Sequence, residues 1–423
     1  MSAVDLRTLA EARRKGETRG ITSVCVAHPR VIRAALRHGR ALGRPVLIEA
    51  TCNQVNQDGG YTGLRPVDFR RMVLEIAEAE GFDPAQLILG GDHLGPNPWR
   101  KLGVDEAMAK AETMVAAYVA AGFTKIHLDA SMGVAGEPEA LDDETTARRA
   151  ARLAAAAERA AKEAGTPTPL YIIGTEVPTP GGATHALDHV VPTSHAAAEQ
   201  SIAAHRQVFA ASGLDAAFDR VIALVVQPGV EFGHESVVEY APEQARDLIS
   251  MLDGQPQFVF EAHSTDYQPG GKLARLVADG FAILKVGPGL TFAMREALYG
   301  LDCIAAELDP GYGGRALADS MERLMLAEPG FWQSHYRGTP QEQHALRHYS
   351  FSDRIRYYWP HPLAQAAVKR LMQTLDGRTI PQTLVSQFLP RQADGATAAF
   401  ADKLIEAAIV RVLDDYAKAC EPA

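Results

Sequence analysis

Leu87-Ile88-Leu89-Gly90-Gly91-Asp92-His93-Leu94-Gly95-Pro96-Asn97 is the stretch that decides the fold. A short apolar run stops at two glycines, which are followed by an acid and an imidazole. The run reads as a buried strand. The glycine pair lets the backbone turn and lets another group approach it closely. Taken alone, Asp92 reads equally well as a helix cap and His93 as a surface residue. Recurrence of the same pattern along the chain favours the functional reading.

Seven other apolar, β-branched runs end in the same way, at 21–27, 46–51, 125–131, 171–177, 221–227, 258–264 and 281–287. Helical patterns alternate with them at 30–42, 66–80, 104–121, 142–164, 195–212, 242–252 and 271–279, after a charged amphipathic stretch over 1–20. Eight strand–helix units predict an α/β fold, a (β/α)8 TIM barrel, the common way to bury both faces of such strands. The competing fold is an open doubly wound sheet. It would carry a GxGxxG turn after an early strand, and neither that turn nor a P-loop is present. Residues 1–309 are read as the barrel with its N-terminal helix. Residues 310–423 are read as a mostly helical C-terminal extension packing on it.

Nearly half of the 423 residues are apolar, enough for a large core, and the formal charge is −10. That charge argues against nucleic acid or an anionic membrane as partner but allows a small anionic substrate held by local arginines. Cys25, Cys52, Cys303 and Cys420 show no CxxC spacing, and Cys25 and Cys52, on expected buried strands, read as reduced core residues. With no signal peptide and no apolar run near 18 residues, a cytoplasmic protein is expected.

A barrel gathers all eight strand ends on one face. Those ends carry His28, Glu49, Asp92 with His93, Asp129, Glu176, Gln227, Glu261 with His263, and Lys285. Charges this close to apolar strands are costly unless they pair or bind. The simplest assignment places a divalent metal between His93, His263, Glu176 and Gln227. Two imidazoles and a carboxylate suit zinc and tolerate manganese or iron. Asp92 is then the proton shuttle, with Glu176 and Glu261 as further acid–base candidates. Lys285 reads either as a Schiff-base amine or as a salt-bridge partner of Glu261 or Glu176. The amide-rich loop 52–63, with Asn53 and Gln54, suits sugar hydroxyls. Glu49, Asp129, Ser264 and Lys285 complete the barrel's substrate-binding candidates. In the extension, Tyr349-Ser350-Phe351-Ser352-Asp353-Arg354-Ile355-Arg356-Tyr357-Tyr358-Trp359-Pro360 offers Arg354 and Arg356 to an anion, or else forms a packing or subunit-interface helix.

Several runs carry a resemblance over nearly the whole chain. They include Ile48-Glu49-Ala50-Thr51, Gly91-Asp92-His93-Leu94-Gly95-Pro96-Asn97, His127-Leu128-Asp129-Ala130-Ser131, Gly174-Thr175-Glu176-Val177-Pro178, Val226-Gln227-Pro228-Gly229-Val230-Glu231-Phe232 and Glu261-Ala262-His263-Ser264-Thr265-Asp266-Tyr267-Gln268. The chain resembles the tagatose-bisphosphate aldolase non-catalytic subunit family, whose members were formerly labelled tagatose 6-phosphate kinases. It is more distantly similar to class II fructose-bisphosphate aldolases. The resemblance implies one of two roles. One is a metal-dependent 4-epimerase interconverting D-tagatose 6-phosphate and D-fructose 6-phosphate by retro-aldol chemistry. The other is a non-catalytic partner stabilising a class II aldolase catalytic subunit. It also implies that Asp92 and His93 are shuttle and ligand, and that Glu176 and His263 match further site residues. Gln227 stands where those aldolases carry a third histidine ligand. A sugar phosphate substrate and a homo-oligomeric assembly are expected.

Overall fold

Alternation along each strand builds two apolar layers and leaves a polar one between strand interior and mouth. The computed structural model describes residues 5–174, 190–392 and 400–421. Its eight parallel strands are β1 (Ile21–Val24), β2 (Val46–Thr51), β3 (Leu87–Leu94), β4 (Lys125–Leu128), β5 (Leu170–Gly174), β6 (Val221–Val225), β7 (Val259–Ala262) and β8 (Ile283–Val286). They pair in sequence order and close, β8 against β1. The expected barrel is therefore the observed one. Leu47, Ile88, Ile172, Val259 and Ile283 fill the inside of the barrel. Their neighbours Ile48, Ile173, Phe260 and Leu284 point outward under the helices, as a two-residue side-chain period requires.

Helix Thr8–Arg14 places Leu9 and Ala10 in the inner cluster, so it plugs the amino-terminal end of the barrel. The expected 1–20 helix is shorter than its charge pattern suggests, because Gly16 adopts φ 74° and ends it. Helices at Pro29–Leu42, Pro66–Ala79, Val104–Ala120, Asp143–Ala164 and His195–Ala211 lie within a residue or two of expectation. The 242–252 pattern yields only Arg246–Ser250, followed by a 3-10 turn. Among the described residues no helix is long and apolar enough to cross a membrane.

The carboxyl-terminal residues do more than decorate the barrel. Helix Ala401–Ala419 returns to lie against Pro29–Leu42, Gly270–Ala278 and Pro288–Leu308, touching β1 as well. Tyr416 donates its hydroxyl to the Thr265 carbonyl at 2.8 Å, beside the end of β7. This last helix thus contributes to the barrel's outer wall.

Gly95 shows how tightly the mouth is built. A Cβ there would sit 1.6 Å from the Asp129 carbonyl oxygen. Gly95→Ala is expected to destabilise the protein by about 3 kcal/mol, the upper end for an overpacked site, because backbone must move. Gly271→Ala meets nothing within 4 Å and should leave the melting temperature unchanged or raised. Thermal unfolding of the two variants checks this.

Candidate active site

Strand alternation alone would send Asp92 and His93 to opposite faces. A bulge brings them together. Between the paired positions Gly91↔Ile126 and Leu94↔Leu128, β3 has two residues where β4 has one, His127. His93 takes φ 49° to make this possible, a conformation that costs a non-glycine residue about 1–3 kcal/mol and marks functional sites. Its N–H, freed from the ladder, donates to Nδ1 of His127 at 3.2 Å. Ser264, just after β7, is also left-handed at φ 50°.

Three histidines converge at this point. The ring centroids of His93, His127 and His263 lie 4.7 to 5.3 Å apart. Each ring spends one nitrogen on the surrounding protein: His93 Nδ1 on Asp129 at 2.8 Å, His127 Nε2 on the Gly174 carbonyl at 2.9 Å, His263 Nε2 on Glu261 at 2.9 Å. Ligating histidines use their second nitrogen in this way. Nε2 of His93 and Nδ1 of His263 make no hydrogen bond among the described residues, whereas Nδ1 of His127 takes the His93 N–H and lies 3.0 Å from Asp92, bonds it would give up to reach a cation. Ligand atoms of the three, with one from Asp92, lie within 4.8 Å of one another. The set therefore fits a divalent cation held from the cavity side by His93 and His263, with buried His127 or Asp92 as the third ligand and a position left open.

The ligand set differs from the sequence-based one. Gln227 does not join it: its Oε1 accepts from the Gly229 and Val230 N–H groups at 2.8 and 2.9 Å. An oxygen so engaged has little left for a cation, and His127 is the third imidazole that stands beside His93 and His263. Alternation on β4, with Lys125 and His127 both inward, carried the signal for His127. Glu176 lies outside the described residues.

Asp92 is 2% exposed. Its oxygens meet Lys285 Nζ at 2.6 Å, His127 Nδ1 at 3.0 Å and Cys25 Sγ at 3.1 Å. Burial opposes ionisation, but the charges of His93 and Lys285 and the His127 bond hold Asp92 well below the usual carboxylate range. Burial likewise opposes charge on His93, yet Asp92 and Asp129 raise it. Burial lowers His263 to about 3, with His93 reinforcing it against Glu261, so its imidazole is neutral.

Beneath the histidines lies a buried ion network. Lys125 Nζ sits 2.6 Å from Glu49 and 2.7 Å from Glu261. Lys285 pairs with Glu49 and Asp92, with Glu261 at 3.5 Å. Glu49 and Glu261, read as substrate and acid–base residues, are fully buried among these partners and do not line the cavity. Both are consequently placed as floor rather than wall. Burial would favour a neutral Lys285 amine, but Asp92, Glu261 and Glu49 raise it well above the ordinary lysine value. Lys285 is a salt-bridge lysine, with Glu49 and Asp92 nearer to it than the expected Glu261, and the Schiff-base reading lacks its neutral amine.

Above the floor opens a cavity of about 1110 Å³. Asn53, Gln54, Asp92, His93, His263, Ser264, Lys285 and Arg356 all line it. Gln54 is largely committed to backbone, donating to the Cys25 carbonyl and accepting from Thr51. Asp129 stands behind His93 rather than on the wall. The two extension arginines part company. Arg354 turns its Nε to the Phe331 carbonyl and is not a wall residue. Arg356 reaches the cavity, steadied by the Asp353 carbonyl at 3.1 Å and the Tyr357 hydroxyl at 2.9 Å.

Fold and site together define a (β/α)8-barrel protein with a buried carboxylate beside a cluster of three histidines at the carboxyl ends of its strands. The chain belongs to the D-tagatose-1,6-bisphosphate aldolase subunit GatZ/KbaZ-like family, whose profile matches residues 6–421. It is 59% identical over 417 residues to D-tagatose 6-phosphate 4-epimerase of Agrobacterium fabrum (strain C58 / ATCC 33970), covering 98% of each chain. The expectation of an enzyme is thereby met. The crystal structure of a probable tagatose 6-phosphate kinase from Sinorhizobium meliloti 1021 superposes with a TM-score of 0.88 at 55% identity, over 95% of this chain and 100% of that one. Fructuronate-tagaturonate epimerase UxaE from Cohnella laeviribosi shares the fold, with a TM-score of 0.50 at 12% identity over 95% and 82% of the two chains.

Proposed function

We propose that this chain is a metal-dependent ketose-phosphate 4-epimerase, interconverting D-tagatose 6-phosphate and D-fructose 6-phosphate. The observation that carries this reading is the convergence of His93, His127 and His263 beside an ionised Asp92. The likeness to the Agrobacterium epimerase supplies the substrate. C4 of a 2-ketose is not α to the carbonyl, so loss of a C4 proton is not assisted there. Breaking and re-forming the C3–C4 bond achieves the inversion instead.

His93, His127 and His263 would hold the cation, zinc first among zinc, manganese and iron. When bound, it supplies charge stabilisation for the oxygens of the C2 carbonyl and the enediolate. Asp92 takes the O4 proton as the C3–C4 bond opens. Lys285 keeps Asp92 ionised and fixes its oxygens. Arg356 serves the 6-phosphate, for which a guanidinium fork is well shaped. Asn53 serves sugar hydroxyls.

Purified protein loaded with zinc is expected to interconvert the two ketose phosphates. Chelator should abolish turnover and metal should restore it. Turnover indifferent to chelation would refute the metal role, and none under any condition would refute the epimerase. The family's description as an aldolase subunit favours one second reading, a stabilising partner of a class II aldolase. Co-purification of an aldolase whose stability depends on this chain, with no turnover of its own, would establish it.

A further inference from the structure

A 4-epimerase of this kind must handle the O4 proton at two places. C3 is fixed and the aldehyde presents first one face and then the other, so O4 of the two epimers lies on different sides. Asp92 stands at the end of β3. Four strand positions away in an eight-stranded ring, on the opposite wall, is the end of β7. Ser264 lines the cavity there, in the left-handed conformation already noted.

Behind Ser264 is a carboxyl group without a task so far. Glu231 is 1% exposed and lies on the short strand Glu231–Phe232, which pairs with Val237–Val238. Phe232 lines the cavity wall, and the carboxyl of the buried residue before it, Glu231, lies near enough to the Ser264 hydroxyl to be steadied by it. Its Oε1 also accepts from the Phe232 N–H at 2.8 Å. Among the described residues no cation pairs with it, in contrast to Asp92, Glu49 and Glu261, each of which faces a lysine.

We propose that Ser264, backed by Glu231, is the second proton-transfer position of the site, serving the epimer that Asp92 does not reach. This rests on the retro-aldol reading above. In one direction Asp92 takes the O4 proton. The C3–C4 electron pair moves to C3, leaving an enediolate and a C4 aldehyde. After the aldehyde turns, C3 attacks its other face, and the C=O pair becomes the O4 alkoxide. That oxygen takes the Ser264 hydroxyl proton as Ser264 takes one from Glu231. Water in the cavity then returns a proton to Glu231 and removes one from Asp92. Burial raises Glu231 to about 7, the nearby Asp266 charge adding to it. Buried with no cation beside it among the described residues, Glu231 favours its protonated form far more than lysine-paired Asp92 does, and such divergence separates an acid from a base. Ser264 would be the group touching substrate, with Glu231 a positioning residue and proton store.

The test runs the reaction from its fragments. Zinc-loaded, full-length protein is given dihydroxyacetone and D-glyceraldehyde 3-phosphate, and the initial ratio of the two ketose 6-phosphates is measured. Wild type should form both. Glu231→Gln and Ser264→Ala should each change that ratio by about tenfold or more, by lowering one epimer selectively, as loss of one acid–base group would. Glu231→Asp should recover part of the original ratio. Equal loss of both epimers, or no change in ratio, would overturn the inference and leave Glu231 a structural residue. Failure of wild type to condense the trioses, under conditions where it still epimerises, would overturn the retro-aldol reading and this inference with it.

Discussion

Asp92→Asn is expected to lower kcat by about 10²–10⁴-fold while leaving the barrel folded. The amide keeps the volume and one oxygen for Lys285, which sits 2.6 Å from Asp92. It loses the ability to accept the O4 proton. KM should change little, because the group acts on the reacting bond rather than on the phosphate. Circular dichroism and thermal unfolding separate this from misfolding. Retention of more than about a tenth of wild-type kcat would remove Asp92 as the base. Because Asp92 also meets Cys25 and His127, Cys25→Ser is the matched control. It keeps a donor facing the carboxylate and should stay within a few-fold of wild type.

The second large effect is on stability. Lys125→Met removes the cation between Glu49 and Glu261, all three wholly buried. Breaking a buried ion pair from one side costs about 3–5 kcal/mol, because the remaining charge has lost its partner. Lys285 still faces both glutamates and offsets part of that loss. Urea unfolding should therefore show a large drop in midpoint. Adding Glu49→Gln to Lys125→Met should restore part of it, since one unpaired charge then disappears. A loss below about 1 kcal/mol, no larger than a surface pair gives, would mean the network is not ionised as described. Activity should fall along with stability, as the same glutamates hold Lys285 and His263.

The barrel was legible because its signals are local. Runs such as Val46–Thr51 alternate inside and outside within six residues, and caps such as Gly43 and Gly165, both left-handed, punctuate the helices. The strand-end residues were legible as a set for the same reason. Their individual roles depend on long-range geometry that no window of sequence contains. Glu49 and Glu261 look like wall residues in one dimension, but two lysines from other strands draw them into the floor. Asp129 stood alone for β4 among the strand ends, yet the β3 bulge brings His127 into the cluster and leaves Asp129 to orient His93. Gln227 occupies a ligand's place in the chain, and its carbonyl is claimed by the turn that follows it. Arg354 and Arg356 are two residues apart and were indistinguishable until the Phe331 carbonyl took one of them. Glu231 sat in a quoted motif and drew no notice, because its significance is the hydroxyl of Ser264, far away in sequence.

Metal analysis of the purified protein after exhaustive dialysis against zinc and then buffer tests the central claim most directly. One zinc per chain is predicted, falling to near none in His127→Ala, with a cobalt-substituted form showing the visible absorption of a low-coordinate site in wild type only. Wild type that binds no metal, or His127→Ala that binds as much as wild type, would contradict the three-histidine site.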